Sequence, residues 1–144
     1  MTSRMATERE YQAALIHLEQ ELDGFVGAAF VDLETGRKLA AHTVRPAFNQ
    51  SAVANAARVA LTAQMALVQS LGAHAGVEDI LVTMSDRLHL YCAVTPAVVL
   101  IVSAERAETN FALVRAAARC CAKHIASSDE RTVGGLVLNG TRVS

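Results

Sequence analysis

Between Ser51 and Leu71 the chain reads SAVANAARVALTAQMALVQSL. Stepped at about 100° per residue, Ser51, Asn55, Arg58, Thr62 and Gln69 fall within roughly 60° of one another, and nearly everything else is Ala, Val, Leu or Met. A helix lying on one sheet needs an apolar stripe only somewhat wider than about 100°. Alanine is the best helix former and tolerates exposure, so its abundance alone decides little. Val59, Leu61, Met65, Leu67 and Val68, however, spread around the same arc. This helix is therefore expected to touch its own sheet on one side and a second body on the other. Ala56, Val59, Ala60, Ala63, Gln64 and Leu67 are the expected contact positions. Gln64, almost opposite the polar stripe, either hydrogen-bonds across a dimer seam or marks the edge of the sheet.

The flanking pattern supplies the sheet. Tyr11, Leu15, Leu18 and Leu22 recur on one helical face, giving a first helix from about Thr7 to Leu22 that Asp23-Gly24 ends. Phe25 to Asp32 then reads as a strand apolar on both faces, Glu34-Thr35-Gly36 as a turn and Arg37 to His42 as a second strand. After the long helix and its stop at Gly72 come three strand-like runs, Val77–Met84, Leu88–Val94 and Ala97–Ser103. Pro96 falls at a joint, where a missing ladder donor does least harm. A last helix is expected from about Ala104 to Ile125, with Ser103 as N-cap and Glu105 in its first turn. The order is α-β-β-α-β-β-β-α, and short hairpin connections favour an antiparallel sheet, which makes the fold α+β with five strands flanked by helices. One domain over residues 1–126 and a tail over 127–144 account for the 144 residues.

Bulk composition narrows the function. Thirteen Lys and Arg against fourteen Asp and Glu leave no basic excess for nucleic acid. No run offers about 20 unbroken apolar residues for a bilayer. The N-terminus MTSRMATERE lacks a following signal-type apolar core. Three cysteines, two of them adjacent at Cys120 and Cys121, suit a reducing compartment better than a disulfide framework, so the cytoplasm is the expected location.

No catalytic constellation emerges. There is neither a GxGxxG opening a helix nor a GxxxxGK[ST]. Cys120 and Cys121 lie four and three residues before His124, spacings that could share a helical face. A metal needs three or four ligands, though, and His89 and Cys92 point to opposite faces of a strand. Cys121 with His124 lacks the third, orienting group of an activated nucleophile. Arg115, Arg119 and Lys123 make a basic stripe that reads as a solvated face, or else as a contact for an acidic partner surface or anionic lipid. Asp32 and Glu34 flank a turn and are assigned no chemistry. The expected catalytic, cofactor-binding and metal-binding residues are none.

Four stretches, taken in order, resemble the roadblock/dynein-light-chain family: DGFVGAAFVDLETGRKLA, AVANAARVALTAQMALVQSLG, VEDILVTMSDRLHLYCAV and VVLIVSAERAETNFALVRAAAR. Together they cover about residues 10–125. The resemblance implies a profilin-like fold with this element order, and dimers whose central helices pack together while sheets join edge to edge. It further implies a non-enzymatic scaffold or regulator, of the bacterial type that partners a small Ras-like GTPase, with no catalytic residue to carry over. If such a protein acts on a GTPase by contact, Arg37, Arg58 or Arg87 could be supplied in trans.

A small-molecule-sensing domain is the alternative, since antiparallel sheets with flanking helices also hold ligands. The 4 % aromatic content leaves few groups to line a specific pocket. The tail lies outside the resemblance. Leu136-Val137-Leu138, Asn139-Gly140 and Thr141-Arg142-Val143 carry a type I′ hairpin signature, but two three-residue arms cannot hold together alone in water. The segment is then either unstructured or docked on an apolar groove or sheet edge as a removable cover, with Gly134-Gly135 as the swivel.

Overall fold

A computed structural model of the chain describes residues 6–46, 49–72 and 76–133, with the side chains of 129–133 left aside. The elements are α1 (Glu8–Glu21), β1 (Phe25–Asp32), β2 (Lys38–Thr43), α2 (Gln50–Ser70), β3 (Asp79–Thr83), β4 (Arg87–Thr95), β5 (Val98–Glu105) and α3 (Phe111–Val133). All five strands form one antiparallel sheet in the order β2-β1-β5-β4-β3.

The two-sided apolar character of β1 has a direct cause. Its first seven residues are buried, because β1 lies between β2 and β5 and both of its faces are covered. On one face Phe30, Leu90, Leu100 and Val102 meet Leu15 and Leu18 of α1 and Val114 and Ile125 of α3. Tyr11 and Phe30 bring their ring centroids to 4.8 Å there. On the other face Ala29, Val31, Val99 and Ile101 meet Ala54, Ala57 and Leu61 of α2. The period of two along each strand sorts the side chains into these two cores.

Local chemistry sets the element ends. Thr7 and Glu10 form a reciprocal capping box at the start of α1. The Asn49 side chain accepts from the Ala52 N–H at the start of α2. At the β1–β2 turn Asp32 Oδ1 accepts from the N–H groups of Glu34 and Thr35, and Gly36 takes φ +74°. A Cβ on Gly36 would lie 3.1 Å from Arg58 Nη1, so the glycine also makes room for that side chain.

The last helix differs from expectation. Ala104 and Glu105 belong to β5, and α3 begins at Phe111, capped by Asn110, whose Oδ1 accepts from the Leu113 N–H. Ser103 caps no helix; it is fully buried within β5, opposite Gly27 and His89. Ladder partners on both sides hold residues 103–105 extended, and the Glu105 N–H donates to the Gly24 carbonyl at 2.7 Å. Two neighbouring strands thus outweigh the helical propensity of SAERAE. At its other end α3 runs on to Val133, so residues 127–133, expected in a tail, are helical. The hairpin expected over residues 136–143 lies outside the described residues.

Candidate interaction face

α2 packs on the sheet over β1 and β5 with only three fully buried side chains, Ala54, Ala57 and Leu61, all in its N-terminal twelve residues. Its position is fixed by polar contacts at the same end. Arg58 donates through Nε to the Leu33 carbonyl (3.1 Å) and through Nη2 to the Glu34 carbonyl (2.9 Å), clamping the helix to the β1–β2 turn. Gln50 donates to Thr43 Oγ1 and accepts from Lys38 Nζ.

Beyond Leu61 the helix rises from its own sheet. From Thr62 to Ser70 every residue except half-buried Val68 is exposed, including Met65 and Leu67, and Leu71 just after the helix is 73 % exposed. Among the expected contact positions Ala56, Val59, Ala63, Gln64 and Leu67 are exposed, with Val59 at 61 % and Leu67 at 49 %. Ala60 is half-buried against the core beneath α2. Ala56, Val59, Ala60, Ala63 and Leu67 share one outward arc of roughly 100°, whereas Gln64 falls on the sheetward side, past the point where the sheet supports the helix.

On the face of the sheet that α2 covers, β3 carries Ile80 and Val82, both half-buried. Among the described residues, β3 and β2 are the sheet's edges.

α2 is 21 residues long, and one 18-residue window of it reaches a mean hydropathy of 1.2, enough by length and composition to cross a membrane. The clamp on Arg58 and the packing of Ala54, Ala57 and Leu61 on the sheet instead identify it as a helix of the folded domain.

The arginines separate by their surroundings. Arg58 is committed to the turn, and Arg87 pairs with Glu105 at 3.7 Å. Arg37, exposed beside that turn, makes no side-chain bond among the described residues. The basic stripe of α3 is not simply solvated. Arg115 and Arg119 both grip Asp79 (2.7 and 3.0 Å), and Arg119 also reaches Glu78 (2.9 Å). These bonds, Arg115 first, hold the Asp79 carboxyl below its usual range despite its burial.

The cysteines are inert or peripheral. Burial pushes the Cys92 thiol up to about 11 and the Cys121 thiol up to about 12, and Cys121 Sγ donates to the Ala14 carbonyl. Cys92 lies in the α1/α3 core and His89 on the α2 face, as their spacing on a strand requires. Among the described residues no three His, Cys, Asp or Glu side chains converge to hold a metal.

Two features escaped the sequence reading. One is the pair of half-buried His89 and buried Ser103, opposite each other across β4 and β5, whose Nε2 and Oγ have no hydrogen-bond partner among the described residues. Burial, aided by Arg87, lowers the His89 pKa. The other is a groove of about 460 Å³ between α1 and α3, floored by Ala14, Leu18, Cys121 and Ile125. The i, i+3, i+4 recurrence of Ala13, Ala14, His17, Leu18 and Glu21 was the available signal for it.

No protein-family model matches the sequence, and no curated protein does. Solved structures do. Myxococcus xanthus MglB superimposes with a TM-score of 0.78 at 14 % identity, covering 93 % of this chain and 98 % of that one. A gliding protein MglB from Thermus thermophilus gives 0.73 at 16 %, covering 89 % and 94 %. A roadblock/LC7 domain from Streptomyces avermitilis gives 0.71 at 15 %, covering 81 % and 95 %. Across nearly the whole length of each of these, the chain shares their architecture: it has the roadblock/LC7 fold.

Proposed function

We propose that the chain is a non-enzymatic, cytoplasmic regulator that works as a homodimer and binds a small Ras-like GTPase. The observation that carries this reading is the outward arc of α2, where Ala56, Val59, Ala63 and Leu67 stand exposed along a helix anchored only at its other end. Pairing two such arcs removes that apolar surface from water at roughly 25 cal/mol per Å². Half-buried Ile80 and Val82 of β3 would add to the surface a second copy covers, with the β3 edges joining two sheets. The dimer then presents two copies of the β1–β2 turn, and Arg37 is the arginine free to meet a partner's switch loops or phosphates. The likeness in fold to two MglB structures, one of them a gliding protein, accords with the bacterial type that the sequence resembles.

The experiment is a pull-down from the source cytosol with tagged protein, followed by GTP turnover of the captured GTPase with and without the chain. The expected result is a GTPase whose turnover changes several-fold, a change reduced by Arg37→Ala, with no turnover by the purified chain alone. Capture of no GTPase, or hydrolysis by the isolated chain that survives re-purification, would overturn the proposal.

The sensing alternative draws support from the α1/α3 groove, whose volume lies within the usual range for ligand pockets. A thermal-shift screen against small metabolites tests it: stabilisation by several degrees at modest concentration favours sensing.

A further inference from the structure

On the face of the sheet under α2, one row of residues crosses all five strands: Val82, His89, Ser103, Gly27 and Thr43, each opposite the next. The row beside it, from Ile80 through Ile101 to Ala41, belongs to the smaller core. On the other side Arg87 pairs with Glu105 (3.7 Å), which also holds Arg45 (3.4 Å). Half-buried His89 therefore lies between an apolar core and a set of charges already paired. Its Nε2 and the hydroxyl of Ser103 are closed to water and have no hydrogen-bond partner among the described residues. No neighbouring strand or helix among those residues brings the ring an unpaired acid. β3 contributes Val82, and the Arg106 guanidinium at that end goes to the Met84 carbonyl. β1 contributes Gly27, and β5 contributes Ser103 and the doubly paired Glu105. The one charge of α2, Arg58, is held at the β1–β2 turn. Along its own strand His89 has Arg87 and Tyr91 on the same face, and burial keeps the Tyr91 hydroxyl protonated. Asp86, exposed in the turn before β4, favours a charged ring less than burial and Arg87 oppose it.

We propose that His89 is a proton-operated latch on the edge strand β3. The neutral ring fits the row. An imidazolium donates from both nitrogens, so its Nε2–H would be a charged donor without water or acceptor, with a second cation nearby at Arg87. The ring then has to turn outward and leave its place opposite Val82. β3 is bonded to a neighbouring strand on one side only, β4, so little else holds that end. Its other end stays tied, because Arg115 and Arg119 grip Asp79. Acid should therefore lift the Val82–Thr83 end of β3 from β4 while the rest of the sheet stays closed. Burial first, then Arg87, lower the pKa of His89 from 6.5, which fixes the direction in pH. The latch is fully closed above about pH 6.5 and is released as pH falls through the lower folded value. Solvent reaches the half-buried ring, so the effect is a few-fold change in local opening. The latch goes beyond the GTPase reading and does not depend on it, because it lies within one chain.

Hydrogen exchange of the full chain, read by mass spectrometry and corrected for the intrinsic effect of pH, tests this. Between about pH 7.5 and about pH 5.5, above the range in which Asp79 titrates, the β3 amides should lose protection at least about three-fold. Those of β1 and β5 should stay within about 1.5-fold, and in His89→Gln, neutral throughout, β3 should do the same. In the parent the His89 ring resonances should titrate with a midpoint below 6.5, a readout that needs no variant to fold. Unchanged β3 protection in the parent overturns the latch, and so does an equal loss across all five strands, since the opening is then global. An equal loss in His89→Gln, or a ring midpoint at or above 6.5, overturns the assignment to His89.

Discussion

Asp79 opens β3 with its side chain only 4 % exposed, yet it carries a charge, because Arg115 and Arg119 reach it from α3. This pair of contacts ties the edge strand to the helical layer, a link between α3 and β3 that the sequence showed only as separate charges. The arginines are themselves more than a third exposed, so solvent screens part of their effect. Asp79→Asn keeps the shape and removes the charge, and should cost about 1–2 kcal/mol in urea unfolding at neutral pH. The pH dependence has a definite sign. The folded carboxyl binds its proton less readily than in the unfolded chain, so its contribution is fully present above the ordinary value of 3.8 and is lost as pH falls through the lower folded value. The gap between parent and Asp79→Asn should therefore close between about pH 5 and about pH 2. A gap that stays constant over that range would show that the ion pairs contribute nothing. Ser103 gives the contrasting lesson at this scale. A serine before AER looks like a cap, and only strands far away in sequence, β1 and β4, reveal it as a buried strand residue.

Among the elements, α2 was the most legible and α3 the least. The width of the apolar arc of α2 is a property of one segment, visible without knowing the rest of the chain, and the structure leaves Ala56, Val59, Ala63 and Leu67 exposed on that arc. The start of α3 depends instead on how far β5 stays paired, which is a long-range property, so local propensity misplaced it by seven residues, from Ala104 to Phe111. The α1/α3 groove was illegible for the same reason: its stripes are readable separately, but only the antiparallel packing of the two helices aligns them. The two sides of α2 can be separated by charge. Ala57 is fully buried on the sheet, and Ala57→Glu would bury an unpaired carboxylate, so it should prevent folding, as circular dichroism would record. Ala63 is exposed on the outward arc, and Ala63→Glu should keep the helical signal while light scattering reports a monomer. Ala60, half-buried at the boundary, should suffer from both effects when changed to Glu. If Ala63→Glu remained dimeric, the outward arc would not be the seam.

For the molecule as a whole, the proposed homodimerisation would make stability a function of concentration. The 144-residue chain has two cores, and the one under α2 is the smaller, closed by three buried helical side chains and rimmed by half-buried Val53, Ala60, Val77, Ile80 and Val82. The rim of that core is only partly covered within one chain. If a second copy covers the rest, unfolding is coupled to dissociation, and each ten-fold rise in protein concentration stabilises the dimer by about 1.4 kcal/mol. At the usual sensitivity of Tm for a chain of this size, the melting temperature should rise by about 2–4 °C per ten-fold increase in concentration. The same dependence should vanish in Ala63→Glu, whose melting temperature should also lie below that of the parent at every concentration. Differential scanning calorimetry over two decades of concentration measures both effects. A melting temperature independent of concentration in the parent would mean that the smaller core is closed within one chain, and the exposed arc of α2 would then have to be kept for a different partner.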